Sequence, residues 1–363
     1  MYSTVEHSDN LLANMFGYKS NYVYSGKRAK PTNLCFEGGG VKGIAYCGSV
    51  KALEDYDLIS DVKNYIGTSA GSGMAAVLAL GYTTEEIYKI LSSTDFTKFN
   101  DDSYGVMRDS YRLKSEYGWY KGDSLTTFYQ DSIKQKFENE DLTFKELYEK
   151  TGNKLVVTGT SLSHMKTVYF SKDHPRFGDM PIAKAIRISM SIPLYFTAVH
   201  YEEEIFIDGG MMDNFPLRHF DKDGEETLLT LGFCLDEPDE LERNHHYKID
   251  NVSNYIFYIV GALMKPQTTL SLGKDSERRV IHINTGNVST TDMNLSEEMK
   301  SFLVCSGYVS TVDFLLREGF INEINQDQYK QYKQRIDDYL ISNTIKVEKS
   351  NLTCDDEALN KDK

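Results

Sequence analysis

The pentapeptide Gly67-Thr68-Ser69-Ala70-Gly71 constrains this chain more than any other stretch. Asn64-Tyr65-Ile66 before it reads as the end of a short buried strand. Ser72 to Leu80 (SGMAAVLAL) after it reads as a helix of small and apolar residues closed by Gly81. A serine on so sharp a strand-to-helix turn needs glycine on both sides, because a Cβ there would meet the neighbouring strand or helix; the turn leaves Oγ exposed at the helix N-terminus. Unpaired N–H groups and the partial positive charge of that terminus favour an alkoxide or a nearby oxyanion.

A second glycine turn, Gly38-Gly39-Gly40-Val41-Lys42-Gly43, follows the strand-like Leu34-Cys35-Phe36 and precedes an apolar-periodic segment, Ile44 to Leu53. Two consecutive strand–turn–helix units make a parallel βαβ, whose right-handed crossover puts both turns at one carboxyl edge of the sheet. Acyl transfer needs a nucleophile and, close by, backbone N–H donors aimed at the developing oxyanion. A run of three glycines lets the backbone approach that closely. Gly38-x-Gly40-x-x-Gly43 also fits the dinucleotide fingerprint, but Ile66-Gly67-Thr68-Ser69 stands where a ribose-binding acidic residue would end the next strand. A phosphate-binding P-loop fails because no Gly-Lys-Ser/Thr follows the glycines. A lone G-x-S-x-G can be purely structural, and the pair of turns counts against that reading.

Further along, Thr83 to Phe99 opens with a helix N-terminal signature, Thr83-Thr84-Glu85-Glu86. Asn100 to Gly122, rich in aromatic, aspartate and glycine residues and holding the only tryptophan, Trp119, reads either as a lid or acyl-chain pocket or as an ordinary surface loop. Lys154 to Thr160 and Thr167 to Ser171 read as strands, and Pro181 to Ile188 as a short helix. Ile205 to Ile207 form a strand ending in Asp208-Gly209-Gly210, a tight turn that can present a carboxylate into a cleft. Thr227 to Leu235 is another buried strand, followed by an acidic loop, Asp236 to Asp250. Tyr255 to Met264 is apolar, too short to span a bilayer, and is expected as a core or interfacial helix. Arg279 to Thr285 predicts a last strand, Ser296 to Leu316 a closing helix and Gln326 to Ile341 a polar helix. The expected division is an N-terminal extension over 1–32, a catalytic domain over 33–235, C-terminal helical additions over 236–342 and a disordered tail over 343–363.

Composition narrows the partners. A net charge of −14 argues against nucleic acid, since no basic stripe exists to neutralise phosphates. Five cysteines without C-x-x-C spacing suit free thiols in a reducing compartment, and residues 1–30 contain no apolar signal region. A cytoplasmic protein is expected, peripheral at membranes and without a transmembrane segment. No cofactor and no metal are expected: His245-His246 has no helical i,i+4 partner, and Asp221-Lys222-Asp223-Gly224 has His219 where a calcium loop needs its first aspartate.

With these residues assembled, the chain resembles the patatin-like phospholipase family. Gly38 to Gly43 is similar to the family's oxyanion-hole motif, Gly67 to Gly71 to its nucleophile elbow, and Asp208-Gly209-Gly210 to its catalytic aspartate turn, all in the family's order. Ile188 to Phe196 resembles the serine- and proline-containing segment before that turn, and Asn214-Phe215-Pro216 its sequel. Lys42 stands where many members have arginine, which keeps the charge and loses bidentate geometry. The resemblance implies an α/β fold, a three-layer α/β/α sandwich on a mainly parallel sheet. It also implies a metal-independent acyl hydrolase working through a Ser69–Asp208 dyad instead of a Ser–His–Asp triad, with backbone N–H groups around Gly39, Gly40 and Val41 binding the oxyanion; a triad through His200 remains as an alternative. Of the eight histidines only His200 and His219 flank the aspartate turn. The implied substrate is a phospholipid or other lipid ester, met at a membrane surface, and some relatives work with an activating protein partner. A neutral-lipid esterase and a non-hydrolytic lipid- or partner-binding module remain as alternatives.

Overall fold

β1 (Asn33–Phe36) and β2 (Asn64–Gly67) pair in parallel with Phe36 beside Gly67, so the turns that follow them leave the sheet at the same edge. The structure, a computed structural model, describes residues 11–20, 22, 24, 26–101, 112–222, 227–236, 249, 252–273, 276–290 and 292–359. β4 (Lys154–Ser161) continues the parallel set beyond β2, and β9 (Thr230–Asp236) with β10 (Val280–Asn284) extends it on the far side of β1. β8 (Glu204–Asp208) then runs antiparallel to β4, and β7 (Val199–Tyr201) antiparallel to β8. With β5 (Lys166–Ser171) as a hairpin partner of β4, these strands make an eight-stranded, mostly parallel sheet in the order β10-β9-β1-β2-β4-β8-β7. β3 (Gly118–Tyr120) and β6 (Leu194–Phe196) form a separate parallel pair.

Strand alternation divides the core between the two faces. Leu34 and Phe36 point into a large cluster built with helices α1 (Ala45–Asp55) and α2 (Ala70–Ala79). Cys35 points the other way, joining Ile66, Val156 and Cys234 under Phe215 and Leu217. The expected capping box on Thr83 is present: its hydroxyl accepts from the Glu86 amide while the Glu86 carboxylate accepts from the Thr83 amide. The helix that follows, α3 (Thr84–Ser93), ends before Phe99. Residues 11–17 are helical, and Leu12, Met15 and Phe16, spaced as one helical face, enter the core, so this part of the N-terminal extension is packed.

The C-terminal part is built into the same layers. Helix α8 (Glu297–Arg317) is long and apolar enough to cross a membrane, yet 72% of its apolar window is buried inside the protein, where it packs against α1. The two backbones meet at glycines. A Cβ on Gly48 would overlap the Val304 carbonyl, and one on Gly307 the Ala45 carbonyl. Gly307→Ala is therefore expected to force the helices apart and to destabilise the protein by about 1–3 kcal/mol, read as a lowered Tm; an unchanged Tm would refute this close crossing. The last helix, α9 (Gln326–Leu359), continues past residue 342, into the stretch expected to lack order. Residues 102–111, 237–248 and His245-His246 within them, and 223–226 with Asp223 and Gly224, lie outside the described residues, so the acidic-loop expectation for 236–250 falls largely there, as does the middle of the 100–122 segment expected as a lid or a surface loop, whose described end holds a helical turn over 112–116 and β3.

Candidate active site

Ser69 stands between β2 and α2 with φ +50° and ψ −126°, and is 4% exposed. A non-glycine residue at positive φ is strained, and such strain persists only where the surroundings over-determine it. Gly71 supplies part of that constraint: a Cβ on it would overlap the Phe36 and Glu37 carbonyls, so helix α2 can press on the end of β1 only with glycine there. The Ser69 amide donates to Ser189 Oγ at 2.8 Å, at the end of helix α6 (Ile182–Ser189). Two residues on, the Ser191 carbonyl accepts from the Asp208 amide at 2.9 Å. One short segment thus holds the backbones of both Ser69 and Asp208. That segment was visible in the sequence only through the resemblance.

Asp208 ends β8, beside Gly159 of β4, and is completely buried. Its Oδ1 accepts from the Gly210 amide at 2.8 Å. Burial lifts its pKa from an ordinary 3.8 to about 7, while the Gly210 amide and, after it, the Ser69 hydroxyl pull it down. The serine hydroxyl therefore lies close enough to act on the carboxylate, yet Oδ2 is buried with no hydrogen bond of ordinary geometry. Slack of this kind is common before substrate binds, and such contacts tighten in the Michaelis complex. Among the described residues no histidine hydrogen-bonds either side chain. His200 is exposed on β7, and His219 packs on Tyr169, its pKa pushed down to about 4 by burial.

The glycine turn lies beside this pair. Gly40 has φ +55°, and the Asn214 side chain sits so close to Gly38 and Gly210 that a Cβ on either would overlap its Oδ1. Asn214 also ties the turns together: its carbonyl accepts from the Gly38 amide at 3.1 Å and its Nδ2 donates to the Gly38 carbonyl at 3.1 Å. The Thr68 hydroxyl donates to the Asp213 carbonyl at 2.9 Å, which fixes the elbow to the same segment. Of the three amides expected as oxyanion donors, Val41 is already engaged, donating to the Thr290 carbonyl at 3.1 Å. Gly39 and Gly40 have no such partner among the described residues and are the donors left for a ligand. Lys42 is 3% exposed, so it is not presented at a surface. Gly43 lies in the short 3-10 helix that follows, and a Cβ on it would press on Ala70 of the elbow.

A cavity of about 120 Å³ opens from Ser69 and the Gly40–Val41 peptide. Its walls are almost entirely apolar: Met74 and Val77 of α2, Ile87, Ile90 and Leu91 of α3, Phe96, Phe99, Phe128 and Met293. On the other side, helix α7 (Val252–Ser271) runs past the aspartate turn, with Met264 against Gly210 and the Thr268 hydroxyl donating to Glu37 Oε1. Its outward face carries Tyr255, Ile259, Leu263 and Leu270, all exposed.

The family model described as Patatin-like phospholipase matches residues 34–221. A protein of Acanthamoeba polyphaga mimivirus, R571, is 30% identical over 289 residues, covering 78% of this chain and 94% of its own length. Probable lipid hydrolase 463L of Invertebrate iridescent virus 6 is 28% identical over 201 residues, 55% of this chain and 67% of that one. Among solved structures, VipD from Legionella pneumophila shares the fold, with a TM-score of 0.54 at 19% identity over 83% of this chain and 71% of VipD.

Proposed function

Because the chain belongs to the patatin-like phospholipase family, we propose that it is a serine hydrolase of lipid acyl esters, of the phospholipase A or lysophospholipase type, acting through Ser69 and Asp208 without a metal. Ser69 Oγ attacks the ester carbonyl carbon as its proton passes to Asp208, and the amides of Gly39 and Gly40 take the negative charge of the tetrahedral oxygen. Collapse expels the alcohol, which receives the proton from Asp208 and leaves an acyl-serine. Water then attacks this ester with Asp208 again accepting the proton, and the fatty acid leaves as Ser69 is restored.

The observation that carries this reading is the buried Asp208 beside the strained Ser69, its pKa raised to about 7. An ordinary carboxylate is too weak a base for serine at neutral pH, and a group that titrates near 7 is matched to the task. The apolar cavity at Ser69 supports an acyl chain as the group bound there, since its walls offer few partners for a polar one. The exposed stripe on α7, next to the aspartate turn, supports a membrane surface as the place where substrate is met. We assign residues 33–235 as the catalytic domain, with the later strands and helices completing it.

A fluorophosphonate probe reacts only with an activated serine. The expected result is a single adduct on Ser69, absent from Ser69→Ala, together with free fatty acid released from defined phospholipids and followed by mass spectrometry. An unlabelled but folded protein that binds lipid would instead favour a non-hydrolytic module. Release from triacylglycerol alone would favour a neutral-lipid esterase.

A further inference from the structure

A second group of reactive side chains is assembled at the end of β9 and β10, and acyl transfer uses none of its three members. Cys234 and His282 are register partners on these adjacent parallel strands, so their side chains leave the same face of the sheet, and Asp236, two residues after Cys234, leaves it too. Glu37, which extends β1 by one residue through its amide to the Phe233 carbonyl (3.1 Å), continues the row on the other side of Cys234. His282 Nδ1 lies 2.7 Å from Asp236 Oδ2, and Cys234 Sγ lies 3.2 Å from Asp236 Oδ1. The three donor atoms all fall within 4.8 Å of one another. The backbone beneath them is rigid: the Asp236 carbonyl accepts from both the amide and the hydroxyl of Thr285, each at 2.9 Å.

A thiol, an imidazole and a carboxylate in one cluster could instead be a nucleophilic triad, but the order is wrong. Asp236 stands between the other two, so His282 has no path to the Cys234 proton. The arrangement suits a cation better. One sulfur, one nitrogen and one oxygen donor are the mixture that a borderline-soft divalent ion takes, and a tetrahedral ion with bonds of about 2.0–2.3 Å needs donors roughly 3.3–3.7 Å apart, wider than the hydrogen-bonded 2.7 Å and 3.2 Å pairs but inside the 4.8 Å that encloses the cluster, so a small opening of the cluster admits it. Cys234 is buried, while the side chains of Asp236 and His282 are 45% and 31% exposed, so the cluster has a solvent-facing side by which an ion can enter.

We propose that Cys234 Sγ, His282 Nδ1 and the Asp236 carboxylate bind a divalent ion of the zinc class, with water in the fourth position. On binding, the Cys234 thiol gives its proton to solvent and a metal–sulfur bond replaces the S–H bond, while His282 binds through the Nδ1 lone pair with its one ring proton on Nε2, and no electrons change hands. The ion takes no part in ester cleavage. Its neighbour Glu37 precedes Gly38, so the site borders the glycine turn without containing Ser69 or Asp208.

The test uses the full chain carrying Ser69→Ala, reduced and stripped with a chelator, titrated with Co2+ and followed by absorption. The expected result is a thiolate-to-cobalt charge-transfer band with tetrahedral ligand-field bands, saturating at one equivalent and removed by one equivalent of Zn2+. Cys234→Ser should lose the charge-transfer band, and Cys305→Ser, at a buried cysteine far along the chain, should keep it. His282→Asn, at a partly exposed position and with its fold checked by circular dichroism, should weaken Co2+ binding at least about tenfold. No thiolate band, or a band that survives Cys234→Ser or is indifferent to His282→Asn, overturns the proposal. Because hydrolysis is disabled in the tested chain, failure here leaves the hydrolase reading untouched.

Discussion

Ser69→Ala is expected to reduce ester turnover to the level of the uncatalysed reaction, and Asp208→Asn to lower kcat by about 10³–10⁴-fold, with both proteins folded by circular dichroism. In the proposed mechanism Ser69 Oγ forms the covalent intermediate, so nothing replaces it. In the same mechanism the Asp208 carboxylate, which the Ser69 hydroxyl approaches, acts as the general base, a role worth about 10²–10⁴-fold in typical enzymes. The pH dependence follows from its raised pKa. With a soluble short-chain ester, kcat/KM should climb to a plateau through an apparent pKa close to 7, because Asp208 must be ionised to accept the serine proton. A profile already flat at pH 5, or an Asp208→Asn protein with near-full activity, would remove Asp208 from the mechanism.

The same substitution should change stability in the opposite direction. Asp208 holds its proton up to about pH 7 in the native protein but gives it up near 3.8 when unfolded. Between those values the native state binds more protons than the unfolded one, so the wild-type protein loses stability as pH rises through that window. The full loss is about 4 kcal/mol, complete above pH 7 and absent below pH 4. Asparagine does not titrate. It keeps the acceptor for the Gly210 amide, but its own NH2 would face the side where Oδ2 now has no partner, at a cost of about 1–3 kcal/mol. The stability of Asp208→Asn relative to wild type should therefore grow by about 4 kcal/mol between pH 4 and pH 8 and end as a net gain. Denaturant melts at both pH values measure it, and a difference independent of pH would show that Asp208 is not a buried carboxylate with a raised pKa. This is a local conflict that a sequence tolerates where function requires it.

Much of the site was legible because it depends on backbone geometry that few residues can adopt. Gly71 is written into the chain by the approach of α2 to the end of β1, Gly40 by a positive φ, and Gly209 by the Thr158 carbonyl, which a Cβ would overlap. Such demands leave the same glycines at the same spacing, and they bracket Ser69 and Asp208 in sequence. The partners of those turns left no comparable mark. Ser189, Asn214 and Thr290 are ordinary residue types, and each acts on a segment more than 100 residues away: 120 positions for Ser189 and Ser69, 176 for Asn214 and Gly38. Thr290 illustrates the cost, since its carbonyl removes Val41 from the expected donors and no local pattern announces it.

The amino-acid order alone determined the two strand–glycine–helix units, their parallel pairing, the strand that ends at Asp208 and hence the edge of the sheet where the candidate site lies, because each follows from local periodicity and from what a Cβ forbids. The tertiary structure decided what those turns meet: the burial that moves Asp208 into the neutral range, the apolar cavity beside Ser69, the glycine-to-glycine crossing of α1 and α8, and the row from Glu37 through Cys234 to His282. Dielectric environment and strand register are properties of which distant segments become neighbours, and a chain read residue by residue contains the neighbours but not their adjacency.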